Sequence, residues 1–86
     1  MDSQKQAAAS PPMDGVVRPL RVFVFYPSMN LRTWTVLLPG ATKHVFQTEG
    51  TAIEFALTRA SAMKGKGRAV EVLRERVSGG WVLVPF

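Results

Sequence analysis

One stretch of this chain has a spacing that fits a single backbone geometry: Ile53, Ala56, Leu57, Ala60 and Met63 recur at i, i+3, i+4 and i+7 intervals. An α-helix turns once in 3.6 residues, so it gathers these side chains on one face and points Glu54, Thr58 and Ser61 away. Thr48 or Thr51 supplies the N-cap oxygen, Thr51-Ala52-Ile53-Glu54 has the spacing of a capping box, and Glu49 or Glu54 complements the helix dipole. At the other end Lys64 precedes Gly65, a residue at ease in the left-handed conformation that closes helices. The spacing predicts a helix at about 49–64. A helix with one apolar face is not stable alone in water, so the rest of the chain must supply a surface to cover it.

The flanking segments read as β-structure. Leu20-Arg21-Val22-Phe23-Val24-Phe25-Tyr26 is rich in β-branched and aromatic residues and ends at Pro27-Ser28-Met29-Asn30. A second strand, Arg32 to Leu38, stops at Pro39-Gly40, which favours a reversal because proline fixes φ and glycine tolerates positive φ. These two are expected to pair as a hairpin, with Lys43 to Gln47 returning along the second as a short third strand. After the helix come Ala69 to Arg74, the turn Val77-Ser78-Gly79-Gly80 and the apolar run Trp81 to Val84. The order is β-β-β-α-β-β. Links between strands are short apart from the helix, so the fold class is α+β, a mainly antiparallel sheet of four to five strands with one helix on a face.

The 86 residues divide in texture at about position 20. Residues 1–19 hold Gln, Ser, Ala and Pro without an aromatic residue or an apolar period, and read as a disordered arm; residues 20–86 form one α+β domain. No apolar run approaches the roughly 18 residues of a membrane helix, and Ala7-Ala8-Ala9 is too short for a signal peptide, so a soluble, cytoplasmic protein without a membrane role is expected. With no cysteine there is no disulfide, thiol nucleophile or thiolate metal site. Residues 20–86 carry nine cations against four anions and therefore all of the net charge of +5.

A single helix covers one side of a sheet, yet the first strand is apolar on both, with Phe23 and Phe25 on one side and Val22, Val24 and Tyr26 on the other. Something must cover the second side: a symmetric partner subunit, the N-terminal arm or a ligand. Val22, Val24 and Tyr26 are the candidate protein interface. Phe55, which lies off the centre of the helix stripe, either flanks the core or joins that contact surface. Trp34, Phe46 and Trp81, among aliphatic neighbours, are expected in the core.

Chemistry-bearing residues are sparse. The single histidine, His44, has no nucleophile or orienting carboxylate near it in sequence, and it reads as a strand-surface residue. Glu71 and Glu75 share a side of a strand but read as solvated charges facing Arg74 or Arg76 rather than as an acid and base pair. One histidine and scattered glutamates offer no ligand spacing, so no catalytic residue, cofactor or metal is expected. The most suggestive segment is Lys64-Gly65-Lys66-Gly67-Arg68, where cations alternate with glycines whose amides can form an anion-binding nest. It lacks Walker spacing and follows a helix, where cations complement the dipole and glycines make a tight link. Arg59, Lys64, Lys66 and Arg68 are the candidate contacts to nucleic acid or another polyanion. The leading functional expectation is a non-enzymatic protein-interaction or self-associating module, with polyanion binding as the alternative.

The run Trp34-x-Val36, Phe46-x-Thr48, Ala52-Ile53-x-x-Ala56-x-x-x-Ala60, Val70-x-Val72 and a glycine before the last strand resembles a family of small bacterial proteins known only as a domain of unknown function. The resemblance covers about residues 32–84 and rests on packing and capping residues. It implies a bacterial, cytoplasmic α+β protein with a β-β-α-β-β pattern and carries over no catalytic residue. The strand at 20–26 and the proline-containing arm depart from that pattern.

Overall fold

A computed structural model of the protein describes residues 18–86. The arm expected at 1–19 therefore lies almost wholly outside the described residues. Five strands and one helix follow one another as β1 (Leu20–Phe25), β2 (Trp34–Leu38), β3 (Thr42–Phe46), α1 (Glu49–Gly65), β4 (Val70–Glu75) and β5 (Trp81–Leu83). The strands form one sheet in the order β3-β2-β1-β4-β5. Three of the four pairings are antiparallel; β1 and β4, in the middle, run parallel with Val22 opposite Val72. This is the α+β class expected. The parallel pair arises because α1 carries the chain from the β3 edge back across the sheet, so that β4 starts at the same end as β1. Among the described residues no helix is long and apolar enough to cross a membrane.

Alternation along the strands decides what α1 covers. Val22 and Val24 of β1, Val36 and Leu38 of β2 and Val72 of β4 point to the helix side and are buried against Ala52, Ala56 and Ala60. All eight of these core residues are small or aliphatic. Three alanines spaced four apart give the helix a low ridge, and the branched valines opposite are fully buried under it. Ile53, Phe55, Leu57 and Met63 flank this seam, with Trp34, Phe46, Val70 and Val84 packed around it. The helix stripe read from sequence is thus correct in face but displaced: its buried centre runs through the alanines, and Ile53 and Leu57 sit to its side.

The helix termini follow capping chemistry. Thr48 is the N-cap, its Oγ1 accepting the Thr51 N–H at 3.1 Å, while the Thr51 hydroxyl donates to the Thr48 carbonyl oxygen at 3.1 Å. Thr51 lies inside the helix, so the cap belongs to the first of the two candidates. At the other end the closing glycine is Gly67 rather than Gly65: Gly67 adopts φ +85 and its N–H donates to the Lys64 carbonyl, while the Arg68 N–H reaches the Met63 carbonyl. That pair of bonds is a Schellman closure, which requires the left-handed residue one place beyond the cap, here Lys66.

Candidate functional site

The side of the sheet away from α1 is uncovered by any described element. Side chains there come from the alternate residues: Phe23 and Phe25 of β1, Leu37 of β2, Val45 of β3, Leu73 of β4, and Trp81 and Leu83 of β5, placed in rows by the register Lys43–Leu37–Phe23–Leu73–Leu83. Trp81 reaches across β4 to contact both phenylalanines edge-on, with ring centroids 5.2 Å from Phe23 and 5.3 Å from Phe25. Such T-shaped contacts match the positive edge of one ring to the negative face of another. The cluster is nevertheless only partly shielded. Trp81 is 40% exposed, Leu83 58% and Val45 61%, large values for apolar side chains on one side of a sheet, with Val45 set apart from the aromatic cluster by Thr35.

This placement corrects the candidate interface. Val22 and Val24 are fully buried beneath α1 and are not surface residues. Tyr26, also on the helix side, stacks edge-on against Trp34 at 5.1 Å and remains partly exposed at the end of β1. The physical reason is volume: a helix ridge of alanines accepts valines, whereas phenylalanine rings would hold it off the sheet. Phe55 flanks the core. It packs on His44 at 4.7 Å and on Phe46 at 5.0 Å, with the Arg59 guanidinium 5.6 Å from its ring centre. Trp81, expected in the core with Trp34 and Phe46, belongs to the uncovered side, where the odd-numbered residues of β1 also lie. Its signal was present in the spacing of the alanines, which selects the smaller of the two strand faces.

The four cations named as polyanion contacts are divided. Arg59 and Lys66 line one small hollow of about 190 Å³ with Thr42 and Met63. Lys64 is turned to the chain end, its Nζ donating to the Phe86 carbonyl oxygen at 3.3 Å and lying 4.8 Å from that ring's centre. Arg68 follows the Schellman closure and is exposed. Glu71 pairs with Arg21, its neighbour across the β1–β4 pairing, at 3.1 Å, and the Glu75 carboxylate accepts the Tyr26 N–H at 3.0 Å, so neither faces Arg74 or Arg76 as expected. Arg74 instead reaches Glu49 on the first turn of α1 at 3.6 Å. His44 is half-buried beside Phe55, with aromatic rather than acidic company. Among the described residues no group of three His, Asp or Glu side chains converges as a metal site would require.

A larger groove of about 620 Å³ opens at one end of the uncovered side, beyond the ends of β1 and β4. Its floor includes Phe25, Thr35 and Leu37, and its walls are the segments that leave the two central strands. No family model, curated protein or solved structure matches the chain significantly.

Proposed function

We propose that the protein is a non-enzymatic interaction module that pairs with a second copy of itself through the uncovered side of its sheet. The observation that carries this reading is the partly exposed cluster of Phe23, Phe25 and Trp81, with exposed Leu83 beside it and Val45 farther along the same side. Apolar side chains that alternate on both sides of central strands are ordinarily covered on both. Size supports a second copy as the cover. Five strands about 4.8 Å apart, each about five residues of 3.3 Å, present roughly 400 Å² in projection before side-chain relief is counted. That is commensurate with the ~800 Å² of accessible surface that each partner contributes to a standard interface. A two-fold pairing places the same aromatic patch on both partners, with Arg21–Glu71 at its polar border.

Sedimentation equilibrium across the micromolar range tests it. The wild-type chain is expected to associate, and Leu83→Glu, which sets a carboxylate on the exposed patch, is expected to remain monomeric with an unchanged circular-dichroism spectrum. A wild-type chain that stays monomeric at several hundred micromolar sinks the reading.

A second reading, polyanion binding at the helix C-terminus, is favoured by Arg59 and Lys66 sharing one hollow on a domain of net positive charge. Titration with DNA and RNA at two salt concentrations tests it, since phosphate contacts weaken steeply with salt. Absence of binding at low salt removes it.

A further inference from the structure

The groove beyond β1 and β4 follows from the topology. These strands are adjacent and parallel, so they end at the same border of the sheet. From there the chain leaves in opposite directions, β1 turning to β2 on one side and β4 to β5 on the other. No described segment bridges the gap between two exits that diverge, and in open sheets a crevice outside the carboxyl ends of such strands is where ligands settle. Here the crevice is walled by Tyr26-Pro27-Ser28 from the first exit and by Arg76 and Val77 from the second. Its volume of about 620 Å³ lies within the few hundred to a thousand Å³ of small-molecule sites.

The lining sets the class of ligand. Phe25, Leu31, Leu37 and Val77 offer an apolar bed with Tyr26 at its border, while Thr35 of β2 and Thr33 just before it bring hydroxyls. The charged groups are two cations, Lys43 and Arg76, against one carboxylate, Glu75. Glu75 immediately precedes Arg76 and already accepts the Tyr26 N–H, which holds its negative charge at the β4 end of the groove. Lys43 stands at the far end on β3, opposite Leu37, and among the described residues it has no carboxylate partner. An ammonium group above an apolar floor, with hydroxyls beside it, recognises a single anionic head carried on a flat hydrophobic body.

We propose that this groove binds a small organic monoanion with an aromatic body, its head group at Lys43 and its rings against Phe25 and Leu37. The groove is formed within one chain, but Phe25 on its floor also belongs to the patch proposed to pair, so ligand and second copy compete for it and the test uses a chain that does not pair.

The probe is 1-anilinonaphthalene-8-sulfonate, compared with the neutral N-phenyl-1-naphthylamine, which has the same rings without the sulfonate. Both are titrated by fluorescence into the Leu83→Glu variant at low micromolar concentration, so that pairing of the open sheet side does not intervene. The anion is expected to saturate one site and to move the amide resonances of Tyr26, Thr35 and Val77. Lys43→Ala is expected to weaken it about tenfold, the worth of one charge-assisted contact. Lys43→Arg is expected to restore most of that loss, and the neutral compound is expected to bind both variants alike. Equal binding of the anion to the Leu83→Glu chain with and without Lys43→Ala, or resonance shifts centred on Trp81 and Val45 instead of the groove, overturns the proposal. Either result leaves the sedimentation test of self-association untouched.

Discussion

The two sides of the sheet are built from the same strands and differ in almost everything else. Directly under the alanine ridge of α1 the residues are valine, leucine and alanine, each 5% exposed or less, and the aromatics Trp34, Phe46 and Phe55 pack only at its margin. On the other side the residues are larger, Phe23, Phe25, Trp81 and leucines, and each keeps part of its surface in water. If residue size alone chose the core, the aromatics would be inside. What chooses it is fit: Ala52, Ala56 and Ala60 form a ridge that valines match in rotamers they already prefer, whereas rings of 150–250 Å² need a deeper partner layer than one helix of alanines provides. The small residues therefore hold the fold together, and among the described residues the larger apolar side chains stay partly in water.

The strongest way to break this comparison uses neighbours in sequence. Val24→Asp buries a carboxylate without a partner and is expected to cost at least about 3–5 kcal/mol, much of the 5–15 kcal/mol that domains possess, so cooperative unfolding in urea should vanish. Phe23→Asp, one residue away on the open side, is expected to keep a cooperative transition and to abolish association in the centrifuge. If the two variants unfold alike, the sides are not distinct. Overpacking comes next. Ala56→Leu has no void to enter between α1 and the sheet, so a loss of about 1–3 kcal/mol in the urea midpoint is expected with the m-value unchanged. Trp81→Ala removes two edge-to-face contacts but little fully buried area, and about 1–2 kcal/mol is expected for the isolated chain. A larger loss at high protein concentration than at low would show the ring engaged by a second copy.

Much of this fold was legible because the signals were local. The helix at about 49–64 is observed at Glu49–Gly65, and the five strands fall within two residues of their expected starts and ends. The i, i+4 spacing of Ala52, Ala56 and Ala60 and the period-two runs around Val24 and Val72 are properties of a few consecutive residues. Strand order was not legible: whether β4 joins β1 or β3 depends on where α1 delivers the chain, and the antiparallel hairpins on either side are satisfied by both arrangements. The choice of core side was misread for a related reason. Val22-Phe23-Val24-Phe25 alternates two apolar sets, and either satisfies a hydrophobic pattern until the shape of the helix is considered. The groove at Lys43 had no sequence signal, because its two walls, at residues 26–28 and 76–77, are far apart in the chain and meet only through the parallel pairing. The cations that cluster in sequence at residues 64–68 do not converge in space: of Lys64, Lys66 and Arg68 only Lys66 lines the small hollow, which it shares with Arg59.

The smallest expected effect discriminates most finely between an open and a covered sheet side. Arg21 and Glu71 form an ion pair at 3.1 Å on the uncovered side, and their side chains are 56% and 36% exposed. Water screens such a pair, and a double-mutant cycle with Arg21→Ala and Glu71→Ala is expected to give a coupling of no more than about 0.5 kcal/mol in the monomer. Arg74 and Glu49, on the helix side at 3.6 Å and still well hydrated, should give a similar value. The two pairs part company when protein concentration is raised. A second copy seated on the aromatic patch lowers the local dielectric at Arg21–Glu71 and leaves Arg74–Glu49 as it was, so only the first coupling should grow with concentration. Equal and constant couplings in both cycles would mean that water remains on the Phe23–Trp81 side at every concentration tested.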